Sequence, residues 1–374
     1  MRWSERLRRV FFLTNLPVPY RIDFFNELGK FCTLRVYFER TNAATRDRAW
    51  LSTRARSFEP VFLPGIPVHE DSALCPSIVT RLRQGDFDTI IVGSPLTPTG
   101  MLAIEYLRAR RVRFFLNSDG GYVKNDNPVL AAVKRRYIGS AEWGLASGQG
   151  AARYLRHYGA GIKEIYTYPF TSVWDRDIAK APVPMERKRG LREKLGIPGS
   201  RMALCVGRYL PVKGFEVAIA AWRGMPDETH LVLVGNGPLE AMYRDRVRSY
   251  DLRNVHILGF KQKEELRQFY DAADALLFPT RGDVWGLVVN EALSRGLPVV
   301  TTTRCGAAPD LLAGGENGTI VPVDDADALR TATAELLEDE AKRSRMASSA
   351  LAKSREYTIE RMASRHMEIF NAVS

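Results

Sequence analysis

Two basic side chains, Arg208 and Lys213, lie five residues apart in a loop between an apolar run and a helix-like segment. The run 202–206 (MALCV) has the pattern of a buried strand, and the loop 207–214 (GRYLPVKG) follows it directly. Arginine offers a planar fork to phosphate oxygens, lysine offers a flexible point charge, and a helix N-terminus adds amide donors. Taken alone, the loop fits either a pyrophosphate site or a solvated basic turn.

A glycine-rich loop follows the next apolar run. In the loop 234–238 (VGNGP), Gly235 and Gly237 permit a ligand to approach the backbone closely. The dinucleotide fingerprint GxGxxG is incomplete, because Glu240 stands at the third glycine position and no acidic residue ends the following strand. The sequence therefore disfavours an NAD-dependent oxidoreductase.

Two carboxylates, Asp283 and Glu291, are separated by seven residues in the segment 279–293 (PTRGDVWGLVVNEAL). Gly286 opens a helix between them, and a rise of about 1.5 Å per residue puts Gly286 and Glu291 roughly 7–8 Å apart along its axis. This distance lets the helix N-terminus face a phosphate while Glu291 reaches a ribose and Asp283 reaches a sugar of one extended ligand. The alternative is that neither residue binds a ligand, Asp283 being an acidic residue at a helix start and Glu291 an ordinary glutamate within the helix.

The elements that would position these loops alternate between strand and helix along the chain. Short apolar runs with helix-like segments between them are typical of parallel sheets covered by helices on both faces. Two such doubly wound domains would place the carboxyl ends of their strands at one cleft, where ligands bind. We predict strands at 10–15, 34–39, 89–93, 113–117, 143–147 and 165–170, and others beginning near Met202, Leu231, Val255, Ala275, Leu297 and Thr319.

The length of 374 residues also predicts two domains, since a domain has about 150 residues. The charge is uneven: residues 1–165 carry 25 basic and 15 acidic side chains, whereas residues 166–374 carry 29 and 28. We expect the first half to meet an anionic partner, such as nucleic acid, an acidic membrane surface or a phosphorylated acceptor. Nucleic acid is disfavoured, because the cations are accompanied by no RNA-binding motif and no interleaved aromatic residues.

Cysteine spacing and hydropathy limit the possible compartments. The four cysteines form no CxxC pair, so neither a zinc site nor a disulfide framework is indicated, and a reducing cytoplasm fits best. No apolar run exceeds about six residues, whereas a membrane-spanning helix needs about 20. We therefore expect a protein that can lie on a membrane but cannot cross one.

The motifs occur in a recognisable order. The series GR(x4)KG, VGxGP, LGF, an acidic residue seven residues before Glu, and GLPVV resembles glycosyltransferase family 4, a retaining family with the GT-B fold. The segments 14–21 (TNLPVPYR) and 119–121 (DGG) resemble members that build bacterial surface polysaccharides, less specifically. The resemblance implies two Rossmann-like domains facing each other across a cleft. The expected divisions are an acceptor domain at 1–170, onto which a helix at about 355–374 packs back, a linker at 171–200 and a donor domain at 201–354.

The resemblance also implies roles for single residues. Arg208 and Lys213 match the pair that neutralises the donor diphosphate, Glu291 matches the glutamate that holds the ribose, and Asp283 faces the transferred sugar. The expected donor-binding residues are Gly207, Arg208, Lys213, Gly235, Gly237, Phe260, Asp283, Trp285, Gly286, Leu287 and Glu291. This chain departs from many members, which have glutamate at position 283 and phenylalanine at position 285.

The first half contributes less certain positions. Where many family members have a histidine, this chain has Ser118 or Asp119, and Asp119 is our candidate for a group near the reacting carbon. Acceptor-binding candidates are Tyr20, Arg21 and Tyr122. Trp50 is a further candidate for stacking on a sugar, although ordinary packing is the better explanation of these aromatic residues.

The resemblance implies transfer of a sugar from a nucleotide-diphosphate sugar to a hydroxyl group, with retention of configuration. We expect a hexosyltransferase that extends a lipid-linked or other surface glycan at the inner face of the cell membrane, next to anionic lipid. It needs no metal and no cofactor, and the DxD-like pair Asp86 and Asp88 is interpreted as a solvated strand edge. The alternatives are another GT-B enzyme, such as a nucleotide-sugar epimerase or an inverting transferase, and a non-catalytic subunit that binds sugar nucleotides.

Overall fold

The computed structural model describes residues 7–41, 54–197, 199–312 and 314–373. The chain divides into two units: unit 1 is Met1–Ser172 with Thr358–Ser374, and unit 2 is Val173–Tyr357. Almost all of the segment 171–200, interpreted from the sequence as a linker, therefore belongs to unit 2.

A parallel sheet with helices around it forms unit 1. Its described strands are β1 (Arg9–Thr14), β2 (Thr33–Phe38), β3 (Glu59–Phe62), β4 (Ile66–His69), β5 (Ser72–Leu74), β6 (Thr89–Val92), β7 (Phe115–Ser118), β8 (Trp143–Ala146) and β9 (Glu164–Thr167). Seven strands pair in the order β3-β2-β1-β6-β7-β8-β9, and β4 and β5 form an antiparallel hairpin. The described helices are α1 (Pro19–Leu28), α2 (Ser77–Gln84), α3 (Pro98–Ala109), α4 (Pro128–Ile138), α5 (Gln149–Tyr158) and, from the end of the chain, α14 (Ile359–Ala372).

Unit 2 has the same kind of architecture. Its described strands are β10 (Arg201–Val206), β11 (Thr229–Val234), β12 (Val255–Leu258), β13 (Ala275–Phe278), β14 (Val299–Thr302) and β15 (Gly318–Val321). They form a parallel sheet in the order β12-β11-β10-β13-β14-β15. The described helices are α6 (Met185–Lys194), α7 (Phe215–Ala221), α8 (Glu240–Ser249), α9 (Lys263–Ala272), α10 (Leu287–Ser294), α11 (Ala308–Leu311), α12 (Ala326–Glu338) and α13 (Glu340–Ser354).

Five strands are buried along their whole length, as a parallel sheet covered on both faces requires. Every residue of β6, β7, β11, β13 and β14 is buried. The predicted α/β class with two doubly wound sheets is therefore confirmed, and each predicted strand is present. The sequence missed β3, β4 and β5. The residues of β3 and β4 are mostly exposed and include Pro60 and Pro67, and β5 is only three residues long.

Each sheet has one point at which the strand order reverses. In unit 2 this point lies between β10 and β13, and in unit 1 it lies between β1 and β6. Ligands of open parallel sheets bind outside the carboxyl ends of the strands at such a switch point. The loops after β10 and β13 carry Arg208, Lys213 and Asp283, so the fold brings these predicted residues to the switch point of unit 2.

The last helix, α14, packs in the core of unit 1. Its first turn is capped by the Thr358 hydroxyl, which accepts a hydrogen bond from the Arg361 amide at 3.2 Å. The Phe370 ring lies 5.6 Å from Phe115 of the sheet, and the His366 ring lies 4.7 Å from Phe24 of α1. The chain thus returns to its first unit at its end.

A buried ion-pair cluster fixes α6 to the sheet of unit 2. Asp274, fully buried just before β13, pairs with Arg192 and with Lys188, the latter at 3.2 Å. The Asp274 oxygen that binds Arg192 also accepts a hydrogen bond from the Met202 amide at 3.0 Å. Arg192 in turn donates to the Ala272 carbonyl at 2.9 Å. One carboxylate therefore joins α6 to β10 and β13, the two strands that are followed by the loops of the switch point.

We expect Asp274→Ala to lower the free energy of unfolding of unit 2 by about 3–5 kcal/mol, because it leaves buried cations without a counter-charge. Asp245→Ala is the matched control: it removes an exposed partner of Arg248 and should cost less than about 1 kcal/mol. Guanidinium denaturation measures both, and equal losses in the two variants would contradict this role of Asp274.

Candidate functional site

Three loops of unit 2 meet at the carboxyl edge of its sheet. They are the segments 207–214 after β10, 235–239 after β11 and 279–286 after β13. The first two approach each other so closely that a Cβ atom on Gly235 would lie 1.9 Å from the carbonyl oxygen of Gly207. Position 235, whose φ is +157°, therefore accepts only glycine.

Tyr209 ties the first loop to the second. Its backbone amide donates to the Asn236 carbonyl at 2.7 Å, and its carbonyl accepts from the Leu239 amide at 3.2 Å. Its buried hydroxyl lies 3.0 Å from the Leu233 carbonyl and 2.6 Å from the Leu258 carbonyl. Sequence reasoning missed this role, since one tyrosine between two basic residues carries no signal of its distant partners.

Lys213 and Asp283 form an ion pair between the loops that follow β10 and β13. Only 17% of the lysine side chain and 19% of the aspartate side chain are exposed. The Lys213 ammonium also lies 5.2 Å from the centroid of the Phe278 ring, and the Asp283 amide donates to the Arg304 carbonyl at 3.1 Å. Both predicted charges are therefore held in place at the switch point.

Arg208 differs from Lys213 in having no counter-charge among the described residues. Its side chain is exposed, and within the described parts of the chain no side chain or carbonyl pairs with its guanidinium group. The Arg208 guanidinium therefore has N–H donors available in a structured loop beside the switch point. Such a group is suited to binding phosphate oxygens.

The helix α10 begins at the same place. Its N-cap residue Gly286 has a φ of +102°, and a Cβ atom there would lie 2.9 Å from the Phe278 ring and 3.3 Å from the Cys305 sulfur. Among the described residues, no side chain caps this helix start. The amides of the first turn, beginning with Leu287, are thus placed to bind an anion.

Glu291 lies just over one turn into α10 and is partly buried. Its carboxylate accepts a hydrogen bond from the Tyr270 hydroxyl at 2.8 Å. Burial, together with the Glu291 charge, raises the pKa of the Tyr270 phenol well above its ordinary value, so this tyrosine stays a donor at every physiological pH. The tyrosine therefore fixes the orientation of the Glu291 carboxylate.

Trp285 and Phe260 were both expected to contact a donor, but the structure gives them different environments. The Trp285 indole is buried and donates to the Asn290 side chain at 2.7 Å, so its ring packs inside unit 2. Its backbone amide lies 3.3 Å from an Asp283 oxygen. Phe260, in the loop after β12, is 41% exposed. Trp285 thus shapes the loop from behind, whereas Phe260 is accessible to a ligand.

Arg281 is a functional position that the sequence reasoning missed. Its guanidinium donates to the Pro211 carbonyl and to Glu216, both at 2.5 Å, and to Asp324 at 2.7 Å. Its amide also donates to the Val212 carbonyl at 2.8 Å. These bonds hold the turn that carries Lys213 against the loop that carries Asp283. Because the partners are 43 to 70 residues away from Arg281 along the chain, spacing alone gave no indication of them.

In unit 1, the predicted residues Asp119 and Arg21 form an ion pair. Asp119 also accepts from the Asn117 side chain at 2.9 Å and from the Tyr168 hydroxyl at 3.1 Å. The cavity beside them has a volume of about 10 Å³, roughly one water molecule. All of these contacts of Asp119 lie within unit 1, so the carboxylate orients Arg21.

The other predicted aromatic residues of unit 1 lie at different places. The Tyr20 ring meets Phe170 edge-on at 5.6 Å and is partly exposed, and Tyr122 is also partly exposed in the loop after β7. Trp50 lies outside the described residues. Packing therefore accounts for one side of Tyr20 and leaves part of its ring accessible.

The DxD-like pair lies at the amino ends of the strands of unit 1, whereas the switch point of that sheet lies at their carboxyl ends. Asp86 and Asp88 precede β6 and both bond to the Arg9 guanidinium, with Asp88 at 3.0 Å. Their carboxylates thus serve an exposed ion-pair cluster at the amino ends of β1 and β6. In the described ranges, no group of three or more His, Cys, Asp and Glu side chains is arranged to hold a metal ion.

Comparison with known proteins gives a consistent picture. Residues 188–353 match the family model described as glycosyl transferases group 1. The GDP-mannose-dependent alpha-(1-6)-phosphatidylinositol monomannoside mannosyltransferase of Mycolicibacterium smegmatis is 32% identical over 297 residues, which are 71% of this chain and 72% of that protein. The D-inositol 3-phosphate glycosyltransferase of Xylanimonas cellulosilytica is 30% identical over 228 residues, 58% of this chain but only 53% of that protein.

Solved structures agree on the fold. Anabaena Alr3699/HepE in complex with UDP has a TM-score of 0.80 to this chain at 17% identity, and the match covers 98% of this chain and 100% of the other. At this identity, the likeness shows the fold, which is the GT-B fold built from two Rossmann-like domains.

We expect Arg281→Gln to weaken the binding of inorganic pyrophosphate by about three- to tenfold, because the turn that carries Lys213 loses its tethers. Since Arg281 acts through Lys213, adding Arg281→Gln to Lys213→Met should cause no further loss in calorimetric titrations. Arg253→Gln, which changes an exposed arginine of the same unit, is the control and should bind as the unchanged protein does. Fully additive losses in the double variant would show that Arg281 acts independently of Lys213.

Proposed function

The chain belongs to the glycosyl transferases group 1 family, and on that premise we propose that it is a retaining enzyme of glycosyltransferase family 4 that moves a hexose from a nucleotide-diphosphate sugar to a hydroxyl group of a glycan. One observation carries the proposal: Arg208, Lys213 and the start of α10 surround the switch point of unit 2, with Asp283 and Glu291 beside them.

In this proposal, the donor diphosphate binds between Arg208, Lys213 and the amides of Gly286 and Leu287. Gly235 and Gly237 let the loop after β11 pack against the loop that carries Gly207, because a Cβ atom at either position would lie 1.9–2.6 Å from a backbone oxygen of Gly207 or Tyr209. The nucleotide is proposed to bind beside these two loops. Glu291, oriented by Tyr270, accepts hydrogen bonds from the ribose hydroxyls. The exposed ring of Phe260 contributes to the same donor surface.

Asp283 takes the position next to the transferred sugar. Its carboxylate neutralises Lys213. A bound diphosphate would compete for the lysine ammonium, which frees carboxylate oxygens of Asp283 to accept hydrogen bonds from sugar hydroxyls. The shorter side chain of aspartate, relative to glutamate, moves this contact by about one methylene.

The chemical step requires breaking the bond between the anomeric carbon and the diphosphate oxygen while the acceptor hydroxyl attacks from the same face. The leaving phosphate oxygen takes the acceptor proton, and the new glycosidic bond keeps the configuration of the donor. The protein then acts mainly by stabilising negative charge on the leaving diphosphate through Arg208, Lys213 and the α10 amides. No metal and no cofactor is required by this scheme.

Unit 1 is proposed to bind the acceptor. Tyr20, Arg21 and Tyr122 would contact the glycan, and Asp119 holds Arg21 in orientation. The relative from Mycolicibacterium smegmatis is named for a phosphatidylinositol monomannoside acceptor, which supports a lipid-linked glycan in surface polysaccharide or glycolipid biosynthesis. No described helix is long and apolar enough to cross a membrane. We place the enzyme on the inner face of the cell membrane.

The function is tested by incubating the protein with UDP-, GDP- and ADP-hexoses and a lipid-linked acceptor in the presence of EDTA. We expect transfer from one donor class, with the anomeric configuration retained in the product by NMR. Arg208→Ala and Lys213→Ala should each lower turnover at least about tenfold, since each removes charge that stabilises the leaving diphosphate. Arg253→Ala, on the same unit, should keep full turnover.

Each failure has a distinct meaning. Complete loss of transfer on chelation would contradict the metal-free scheme, and an inverted product would contradict retention. Nucleotide binding without any turnover would identify a non-catalytic subunit. Full activity in both the Arg208 and Lys213 variants would remove these cations from the site.

A further inference from the structure

A buried carboxyl group, that of Glu39, lies directly after β2 at the carboxyl edge of the sheet of unit 1. Only 2% of this residue is exposed. Among the described residues, no basic side chain pairs with it. The guanidinium of the neighbouring Arg40 donates instead to the His69 and Glu70 carbonyls, at 2.7 and 3.1 Å. A carboxylate at position 39 would therefore be a buried charge without a counter-charge, which is costly.

The hydroxyl group of Thr97 indicates where the proton lies. Its oxygen is 2.6 Å from a Glu39 carboxyl oxygen and 2.9 Å from the Ser94 carbonyl oxygen, and it accepts a hydrogen bond from the Gly100 amide at 3.1 Å. A hydroxyl group has one hydrogen, so it can donate to only one of these two oxygens. A proton on Glu39 makes both contacts hydrogen bonds, because Glu39 then donates to Thr97 and Thr97 donates to Ser94. The arrangement thus favours the neutral carboxyl group.

The surroundings of Glu39 act in the same direction. Burial raises its pKa to about 7, although its hydrogen bonds oppose the rise. The charge of Asp71, in the turn of the β4–β5 hairpin, adds to the rise. The other elements around it present neutral groups, which are the Thr14 carbonyl at the end of β1, the Thr97 hydroxyl before α3, and the Cys75 thiol, whose own pKa burial raises. Glu39 therefore changes charge near neutral pH.

Glu39 joins separate segments at the switch point of unit 1. Its second carboxyl oxygen accepts from the Ala73 amide of β5 at 3.3 Å, and the Ala73 carbonyl accepts from the Thr99 hydroxyl of α3 at 2.6 Å. Thr97 is the N-cap residue of α3, which follows β6, one of the two strands at which the order of the sheet reverses. One carboxyl group thereby holds the β4–β5 hairpin and the start of α3 at the end of β2.

We propose that Glu39 is a positioning residue of unit 1: the proton that it donates to Thr97 holds the β4–β5 hairpin and the start of α3 in place, and its ionisation loosens both. The inference rests on the proposed function in one respect, because that function assigns the acceptor to unit 1. Acceptor binding should then weaken as the pH rises through neutrality.

The direction of the pH effect follows from the raised pKa. Below pH 4.5, the ordinary pKa of a glutamate, Glu39 is protonated in both the folded and the unfolded chain, so it contributes no pH dependence. Between this pH and about 7, the unfolded chain ionises and the folded chain does not, so the stability of unit 1 falls as the pH rises. Above about 7, Glu39 ionises in the folded chain as well, and its hydrogen bond to Ser94 through Thr97 is lost.

Hydrogen exchange of the full chain, measured by mass spectrometry at about pH 6 and about pH 8.5 and corrected for intrinsic rates, tests the proposal. Between these pH values, the amides of the hairpin and of the α3 start should lose protection at least about tenfold more in the unchanged protein than in Glu39→Gln. The glutamine amide keeps a donor for Thr97 at both pH values. His69→Gln, which changes an exposed residue of the same hairpin, is the matched control and should retain the pH dependence. Glu39→Ala should lose protection at both pH values.

Equal pH dependence of exchange in the unchanged protein and Glu39→Gln would overturn the proposal, as would full protection in Glu39→Ala. In transfer assays, the acceptor KM of the unchanged protein should rise at least about threefold over the same pH range relative to that of Glu39→Gln, and an equal rise in both would also overturn it. Exchange needs no turnover. An inactive protein with the expected exchange pattern would therefore contradict the proposed function alone, whereas an active protein without it would contradict this inference alone.

Discussion

The ion pair between Lys213 and Asp283 is the interaction on which the candidate site depends. It joins the loops after β10 and β13, the two strands between which the sheet of unit 2 reverses its order. Since less than a fifth of either side chain is exposed, the pair is screened less by water than a surface ion pair is. Arg281 supports it from the side by bonding the backbone of the lysine turn. Two charges of opposite sign are thereby fixed at one point.

In the proposed function, this site serves both ends of a nucleotide-diphosphate sugar. The lysine, together with Arg208 and the start of α10, would supply positive potential for the diphosphate. The aspartate would supply hydrogen-bond acceptors for the sugar, and Glu291 would supply them for the ribose. Because strands, glycines and tethers fix these groups before any ligand binds, little reorganisation is required when charge develops on the leaving group. Electrostatic preorganisation is thus the main contribution that we assign to this chain.

The sequence predicted those parts that depend on local pattern. Buried strands such as β11 and β13 were visible as continuous apolar runs, and the loops after them as glycines and charges at strand ends. Other features depend on residues distant in the chain. The bonds of Arg281 to Glu216 and Asp324, and the packing of Trp285 away from the loop surface, arise only when separate segments meet. For the same reason, the buried pairing of Arg192 with Asp274 was not apparent in a segment that reads as a charged linker.

Calorimetric titration of UDP, GDP and ADP into the unchanged protein, Lys213→Met and Asp283→Asn measures what the ion pair contributes to nucleotide binding. One nucleotide should bind the unchanged protein, and Lys213→Met should weaken this binding at least about tenfold. Asp283→Asn should bind the nucleotide as well or more tightly, because the lysine no longer has a competing carboxylate. Equal affinity of Lys213→Met and the unchanged protein, or loss of nucleotide binding in Asp283→Asn, would contradict this role of the pair.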